Sequence, residues 1–132
     1  MKRSVFQVQP LSKYLAARGL PVSPVVRVGD LVFVSGFPPF SETGEIAATS
    51  IERQTEIVLE QMKMCLEAAG SSLADVSKCN VYVDDPRHLE IINRTYEKYF
   101  PVDPPARIFL CVAGWPGPFN IEIDCVAAVS NS

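Results

Sequence analysis

The sequence predicts an α+β fold in which helices cover one face of a single β-sheet. Two segments repeat apolar residues at helical spacing, and several short segments are rich in β-branched and aromatic residues. The 132 residues, 48% of them hydrophobic, suffice for one core, so a single domain over residues 1–132 is expected. The expected element order is β-β-β-α-β-α-β-β, with two helices packed on one face.

The first third of the chain predicts three strands. Residues 4–8 alternate as an edge strand would, whereas residues 10–24 are expected to be irregular apart from a helical turn in residues 11–15. Two further strands are predicted at residues 25–28 and 31–35, where β-branched residues cluster.

A hairpin turn is predicted between these two strands. Gly29 and Asp30 separate them, and such a dipeptide between β-branched runs is typical of a tight turn. The glycine and proline content of residues 36–44 predicts a loop before the first long helix.

The long helix is predicted to begin at Thr49, because Glu52 three residues later completes a capping box. Gly70 is expected to end it as a C-terminal cap. Its apolar face is predicted from residues at helical spacing, namely Ile51, Val58, Met62, Cys65, Leu66 and Ala69.

A strand over residues 76–83 is predicted to lead into a second helix. Asp85 is the expected N-cap and Pro86 suits the first helical position, while Pro101 stops the helix. Its predicted apolar stripe consists of Leu89, Ile92, Tyr96 and Tyr99.

The last two strands, residues 106–113 and 120–129, are joined by a Gly- and Pro-rich connection. Several strands are apolar on both faces and therefore need cover on both sides, as in residues 31–34, 108–112 and 125–129. Two helices cannot supply that cover. The uncovered face predicts a homo-oligomer.

The positions of the cysteines and of the single histidine argue against a metal site and against a catalytic triad. The four cysteines lie far apart at positions 65, 79, 111 and 125, without the short spacings of a zinc site. The single histidine, His88, is interpreted as a solvated residue in the opening turn of a helix. No Gly-rich phosphate-binding motif is present in the sequence.

Charge and hydropathy limit the kinds of partner that the protein can have. The net charge of −3 and a pI near 5.1 argue against nucleic acid, since binders of nucleic acid usually have a basic surface. No apolar run approaches the ~18 residues of a membrane span. Because no apolar block follows Lys2 and Arg3, the sequence predicts no signal peptide. A cytoplasmic location is therefore expected, where the cysteine thiols would be reduced.

Seven segments follow one another between about Pro24 and Val129: Val34-Ser35-Gly36, Thr43-Gly44-Glu45, and residues 66–70, 73–76, 93–100, 105–107 and 121–124. Together, and in this order, they resemble the RidA/YjgF family of enamine/imine deaminases. The resemblance implies a chorismate-mutase-like α+β fold assembled as a homotrimer, with sheets inward, helices outward and three sites between subunits.

The resemblance also implies a reaction. Active members hydrolyse a 2-imino or 2-enamino acid to a 2-oxo acid and ammonia, without cofactor or metal. The implied partners of this chain are therefore the small imino or enamino acid and two further copies of itself.

Arg107 is the first candidate site residue. It opens a strongly apolar strand, where a guanidinium needs an anionic partner. Its parallel donors suit the carboxylate of a 2-imino acid, although an ion pair with one of the fifteen acidic residues would also satisfy it. The resemblance favours the ligand.

Glu122 is the second candidate. Alternation places Glu122 and Asp124 on one face of the last strand and Ile121, Ile123 and Cys125 on the other. A carboxylate near the imine carbon could activate water or deliver a proton, though a solvated strand face is the alternative. The resemblance implies that Glu122 lies in the site, and Asp124 is interpreted as structural.

The resemblance also implies pocket-lining roles for the strand end Ser35-Gly36, the adjacent Phe37 and the helical Asn93. A plain strand end and an exposed helix residue are the alternatives for these positions.

Two positions depart from the family pattern. Val25 stands where archetypal members carry a pocket tyrosine, and Phe109 where they carry a cysteine; Cys111 does not replace that cysteine in register. Phe37, Phe109 and Trp115 could instead line a larger apolar pocket, suited to a 2-aminomuconate-type acid, or serve as ordinary packing.

Two other functions compete with the deaminase. One is a non-catalytic trimer that binds a small carboxylate or a protein partner, and the other is a ribonuclease. Binding a carboxylate needs only Arg107, so the presence of Glu122 favours the enzyme, and the acidic pI argues against the ribonuclease.

Overall fold

The computed structural model describes residues 1–131, which form a six-stranded sheet with three α-helices. The strands are β1 (Arg3–Phe6), β2 (Val25–Val28), β3 (Leu31–Val34), β4 (Val76–Val83), β5 (Ala106–Cys111) and β6 (Ile121–Ala128). The helices are α1 (Leu11–Ala17), α2 (Ile51–Ala68) and α3 (Leu89–Tyr99). The order across the sheet is β1-β2-β3-β6-β4-β5, and only the β4–β5 pair is parallel. The α+β prediction is confirmed.

The prediction of two helices was wrong by one, because α1 is a full helix of seven residues where only a turn was expected. Leu11 and Leu15, one turn apart, are each 2% exposed and join the core. The Tyr14 hydroxyl donates a hydrogen bond to the Glu42 carbonyl at 3.0 Å, and the Tyr14 ring packs on Phe40. Such a short helix is stabilised by these tertiary contacts rather than by its own sequence.

The hairpin between β2 and β3 is confirmed. Val28 pairs with Leu31 across a two-residue connection, and Gly29 adopts φ +57°, a left-handed conformation that glycine tolerates without strain.

The start of α2 lies one residue later than predicted. The Ser50 hydroxyl, rather than that of Thr49, accepts the Arg53 backbone N–H at 3.1 Å. The Thr49 carbonyl instead accepts a hydrogen bond from the Gln54 side chain at 2.8 Å, which holds Thr49 outside the helix. The predicted end is confirmed, since Gly70 follows the helix with φ +83°.

The second predicted helix is also confirmed. Asp85 accepts the Arg87 backbone N–H at 2.9 Å, and one 3-10 turn over Pro86–His88 leads into α3. The helix ends at Tyr99, two residues before Pro101.

The two faces of the sheet differ. Along β6, Ile121, Ile123 and Cys125 are buried under the helices, while Glu122 and Asp124 point to the opposite, open face. That open face also carries apolar side chains that are 42–47% exposed, namely Leu31, Phe33, Ile108 and Leu110. The predicted two-sided strands are thus present.

Within residues 1–131, no helix is both long enough and apolar enough to cross a membrane.

The open face generates a first prediction. Replacing Ile108 and Leu110 together by lysine places two charges where we expect a second copy to pack. Light scattering should give a mass near three times the 14.5 kDa chain for the unmodified protein, and near that of one chain for the variant.

The control is Met64→Lys, which places one lysine charge on α2, away from the open face, at a side chain that is 37% exposed. This variant should keep the mass of the unmodified protein. A monodisperse monomer of the unmodified protein would contradict the expectation.

Candidate functional site

Arg107 lies on β5, an edge strand of the sheet, and its side chain points toward α3. It pairs in register with Cys79, which is fully buried on the helix-covered face. Its Nη1 donates a hydrogen bond to the Asn93 Oδ1 of α3 at 2.9 Å. Strand and helix therefore bring together two residues predicted for the site.

Two aromatic rings flank the Arg107 guanidinium. Its Cζ lies 4.9 Å from the centroid of the Tyr96 ring and 5.8 Å from that of Phe109. Tyr96 follows Asn93 by three residues and so shares its face of α3, and Phe109 follows Arg107 by two on β5. These distances suit cation–π attraction.

The guanidinium lines a cleft of about 400 Å³ between α3 and the loop before β5. The lining residues are Asn93, Tyr96, Glu97, Phe100, Pro104, Pro105 and Arg107. Within residues 1–131, Arg107 makes no ion pair, and its Nε and Nη2 have no hydrogen-bond partner. Their N–H groups are therefore available to a carboxylate in bidentate geometry.

Glu122 lies on the open face, close to Gly36, which follows the end of β3 by two residues. A Cβ atom built on Gly36 would lie 2.8 Å from the Glu122 Oε1, so glycine permits this close approach. The Ser35 hydroxyl next to it donates to the Ser23 carbonyl at 2.6 Å, which ties the strand end to the preceding loop. Ser35, Gly36 and Glu122 thus form a second group of predicted site residues.

Asp124 is held beside Glu122 by a polar network. Its carboxylate accepts hydrogen bonds from the Asn80 Nδ2 at 2.6 Å and from the Tyr82 hydroxyl at 3.1 Å. These bonds agree with a structural role. Burial raises the pKa of the Glu122 carboxyl, and the negative charge of Asp124 raises it further.

The two groups lie on opposite faces of the sheet. Arg107 pairs with the helix-facing Cys79, whereas Glu122 pairs with Tyr82 on the open face. The backbone of the sheet separates side chains on its opposite faces, so these two side chains cannot contact the same small molecule. Arg107 and Glu122 of a single chain therefore do not form one site.

Two predicted aromatic site residues lie elsewhere. The Phe37 ring is 5% exposed and packs in the core of its own chain. Trp115 stacks on Phe119 with ring centroids 4.8 Å apart and is not among the residues lining the Arg107 cleft. Of the three proposed pocket aromatics, only Phe109 is beside Arg107, because it shares the face of β5.

The structure also shows where the residues that depart from the family pattern lie. Val25 is a fully buried core residue, so it offers no surface to a pocket. Cys111 is exposed, on the same strand face as Arg107 and Phe109.

Sequence reasoning missed Tyr96 as a site residue and counted it as apolar helix packing. The available signal was its spacing of three from Asn93, which places both on one helix face. Among residues 1–131, no group of three or more histidines, cysteines or acids is arranged to hold a metal ion.

Comparison with known proteins identifies the family of the chain. A family model described as Endoribonuclease L-PSP matches residues 12–129. The chain belongs to this family, which includes the YjgF and RutC proteins. The resemblance to RidA/YjgF proteins is thereby confirmed.

Individual relatives cover most of the chain. A RutC family protein of Pyrococcus abyssi is 40% identical over 108 residues, 81% of this chain and 85% of that one. The chloroplastic Reactive Intermediate Deaminase A of Arabidopsis thaliana is 37% identical over 124 residues, 93% of this chain and 66% of that one. Escherichia coli TdcF, crystallised with bound serine, superposes with a TM-score of 0.78 at 32% identity, covering 83% and 89% of the two chains.

The carboxylate pair generates a second prediction. Asp124→Asn removes a negative charge beside Glu122, so the pKa of the Glu122 carboxyl should fall toward its ordinary value. A carboxyl-carbon NMR titration of the two proteins checks this directly.

Asp30→Asn, an exposed acid in the β2–β3 turn, is the matched control and should leave the Glu122 titration unchanged. A Glu122 pKa that is equal in the Asp124 variant and the unmodified protein would show that the two carboxylates do not interact.

Proposed function

We propose that the protein is a cofactor-free deaminase that hydrolyses 2-imino acids, and their 2-enamino tautomers, to 2-oxo acids and ammonia. The observation that carries the proposal is Arg107, an arginine without an anionic partner in residues 1–131, fixed by Asn93 and two rings in a cleft of about 400 Å³. Such a group selects a small planar carboxylate.

The proposed active site lies between two copies of the chain in a homotrimer. Arg107 and Glu122 are on opposite faces, so one copy must supply the Arg107 cleft and its neighbour the Glu122–Gly36 group. The exposed apolar side chains of the open face would be buried by the same association. Assembly therefore completes the site and covers the sheet at once.

The chemistry follows from the two groups. Arg107 holds the substrate carboxylate while water attacks the adjacent C2 atom, forming a C–O bond. The C2–N bond then breaks, and the nitrogen leaves as ammonia with the protons it takes up. One water is consumed for each 2-oxo acid and ammonia formed, so atoms balance without an oxidant or reductant.

Glu122 is proposed to move the protons. Its pKa is raised by burial and by the charge of Asp124, the direction that a carboxyl needs in order to donate a proton more readily near neutral pH. The name of the Arabidopsis relative supports this chemistry, and the serine bound to TdcF shows an amino acid on a related fold.

The substrate side chain is proposed to contact aromatic surface. The rings of Phe109 and Tyr96 lie next to the guanidinium that would hold the carboxylate. Because these rings are apolar, they favour an apolar substituent on the imino acid. A 2-aminomuconate-type acid is the larger substrate to include in any test.

A ribonuclease is the competing activity named in the family description. The cleft around Arg107 contains no second basic residue among its lining side chains and does contain Glu97. With a pI near 5.1, this surface is poorly suited to a phosphate backbone.

The experiment that tests the proposal is ammonia release from freshly generated imino acids of increasing size, with single-stranded RNA as a parallel substrate. Turnover of at least one imino acid without RNA cleavage is expected. RNA cleavage without ammonia release would overturn the proposal, and neither activity would favour a carboxylate-binding protein.

A third prediction separates the roles of the two residues. Arg107→Lys keeps the charge and loses the bidentate donors, so it should raise KM about tenfold or more. Glu122→Gln keeps the shape and loses the proton-transfer group, so it should lower kcat about 10²- to 10⁴-fold with carboxylate binding nearly unchanged.

Arg94→Lys and Glu90→Gln, at exposed positions of α3, are the matched controls and should behave as the unmodified protein. Every variant must keep the native mass by light scattering. Full turnover by correctly assembled Glu122→Gln would remove Glu122 from the mechanism.

A further inference from the structure

The Tyr96 hydroxyl has an unusual environment. Tyr96 is 6% exposed, and its buried hydroxyl lies beside the Cys79 thiol, but among residues 1–131 no contact of the hydroxyl has hydrogen-bond geometry. Its polar neighbour is the Cys79 thiol, whose pKa burial raises to about 11, so the thiol is neutral at physiological pH. A buried polar group without a partner costs stability, so the hydroxyl by itself does not explain why a tyrosine lies at this position.

The hydroxyl is not placed for acid–base work. It is inaccessible from the cleft, and burial raises the pKa of the Tyr96 phenol well above its usual range. The part of Tyr96 that faces the site is its ring, which lines the cleft and lies under the Arg107 Cζ at 4.9 Å.

Arg107 needs such support because of its position. It lies on β5, which among residues 1–131 pairs with β4 alone, and its side chain reaches across to α3 rather than into a packed interior. An arginine that rotates freely must be ordered when a ligand binds, which weakens binding. Asn93 fixes one end of the guanidinium through Nη1, and a flat ring beneath fixes its plane.

We infer that Tyr96 is a positioning residue, whose ring face holds the Arg107 guanidinium in the orientation that receives the substrate carboxylate. The inference rests on the proposed function. The ring makes the contact with Arg107. The hydroxyl does not contribute to it, and its removal leaves the contact intact.

The test compares two variants by calorimetric binding of 2-oxobutanoate and by steady-state kinetics. Tyr96→Phe keeps the ring and should retain the Kd and KM of the unmodified protein, with equal or higher thermal stability because the unpartnered hydroxyl is gone. Tyr96→Leu removes the ring and should raise both Kd and KM roughly three- to twentyfold, with kcat changed less.

Tyr99→Leu on the same helix is the matched control. Tyr99 donates a hydrogen bond to Glu60 and makes no cation–π contact with Arg107, so its loss should lower thermal stability without changing Kd. If Tyr96→Leu does not assemble, Tyr96→Met, which keeps more of the side-chain length, takes its place with the same expectation.

The outcomes are distinguishable from failure of the proposed function. If Arg107→Lys weakens 2-oxobutanoate binding while folded Tyr96→Leu does not, the positioning role is overturned and the proposed function stands. If Tyr96→Phe is as weak as Tyr96→Leu, the hydroxyl matters and the inference is wrong. If Arg107→Lys binds 2-oxobutanoate normally, Arg107 does not bind the carboxylate, and the proposed function is overturned together with the inference that rests on it.

Discussion

The alternation of side chains along a β-strand is the constraint on which the proposed site depends. Successive side chains point to opposite faces, and the registers of β4 with its two neighbours fix which faces those are. Arg107 consequently faces α3 and Glu122 faces away from it. Neither residue can change face without a register shift that would also expose the buried side chains of its strand.

This constraint links assembly to function. The open face combines exposed apolar residues such as Phe33 and Ile108 with the half-buried carboxylates Glu122 and Asp124. An apolar face of this kind favours association, whereas the carboxylates oppose it unless they find polar partners. Asn80 and Tyr82 supply those partners to Asp124, which leaves Glu122 as the acid without a described hydrogen bond on this face. A group retained in a costly environment is a functional candidate for that reason.

Much of the fold could be predicted from local sequence. The hairpin at Gly29 and the end of α2 at Gly70 were predictable because a positive φ favours glycine, and both glycines adopt one. Helix α1 was not, because a seven-residue helix has little periodicity of its own and depends on Tyr14 and the Phe40 loop. The choice between Thr49 and Ser50 as N-cap depended on the Gln54 side chain, which bonds the Thr49 carbonyl five residues before it, a contact that the capping-box pattern does not include.

The candidate site was predictable to a similar depth. Arg107, Asn93 and Glu122 were proposed from residue type and resemblance, and Arg107 and Asn93 are joined by a hydrogen bond. Strand alternation correctly separated Glu122 from its buried neighbours. Tyr96 was not identified, since a helical stripe does not reveal that one ring meets an arginine from a strand eleven residues later. Phe37 and Trp115 were assigned to a pocket because aromatic residues suit both pockets and cores, and only packing distinguishes them.

Subunit mixing tests the central claim, that each site takes Arg107 from one copy and Glu122 from another. Arg107→Ala and Glu122→Gln are each expected to be inactive as homotrimers. When equal amounts are unfolded, mixed and refolded together, about one quarter of the sites should combine an intact Arg107 with an intact Glu122. About one quarter of the unmodified activity should therefore be recovered, and a mixed assembly that remains as inactive as its parents would contradict a site shared between two copies.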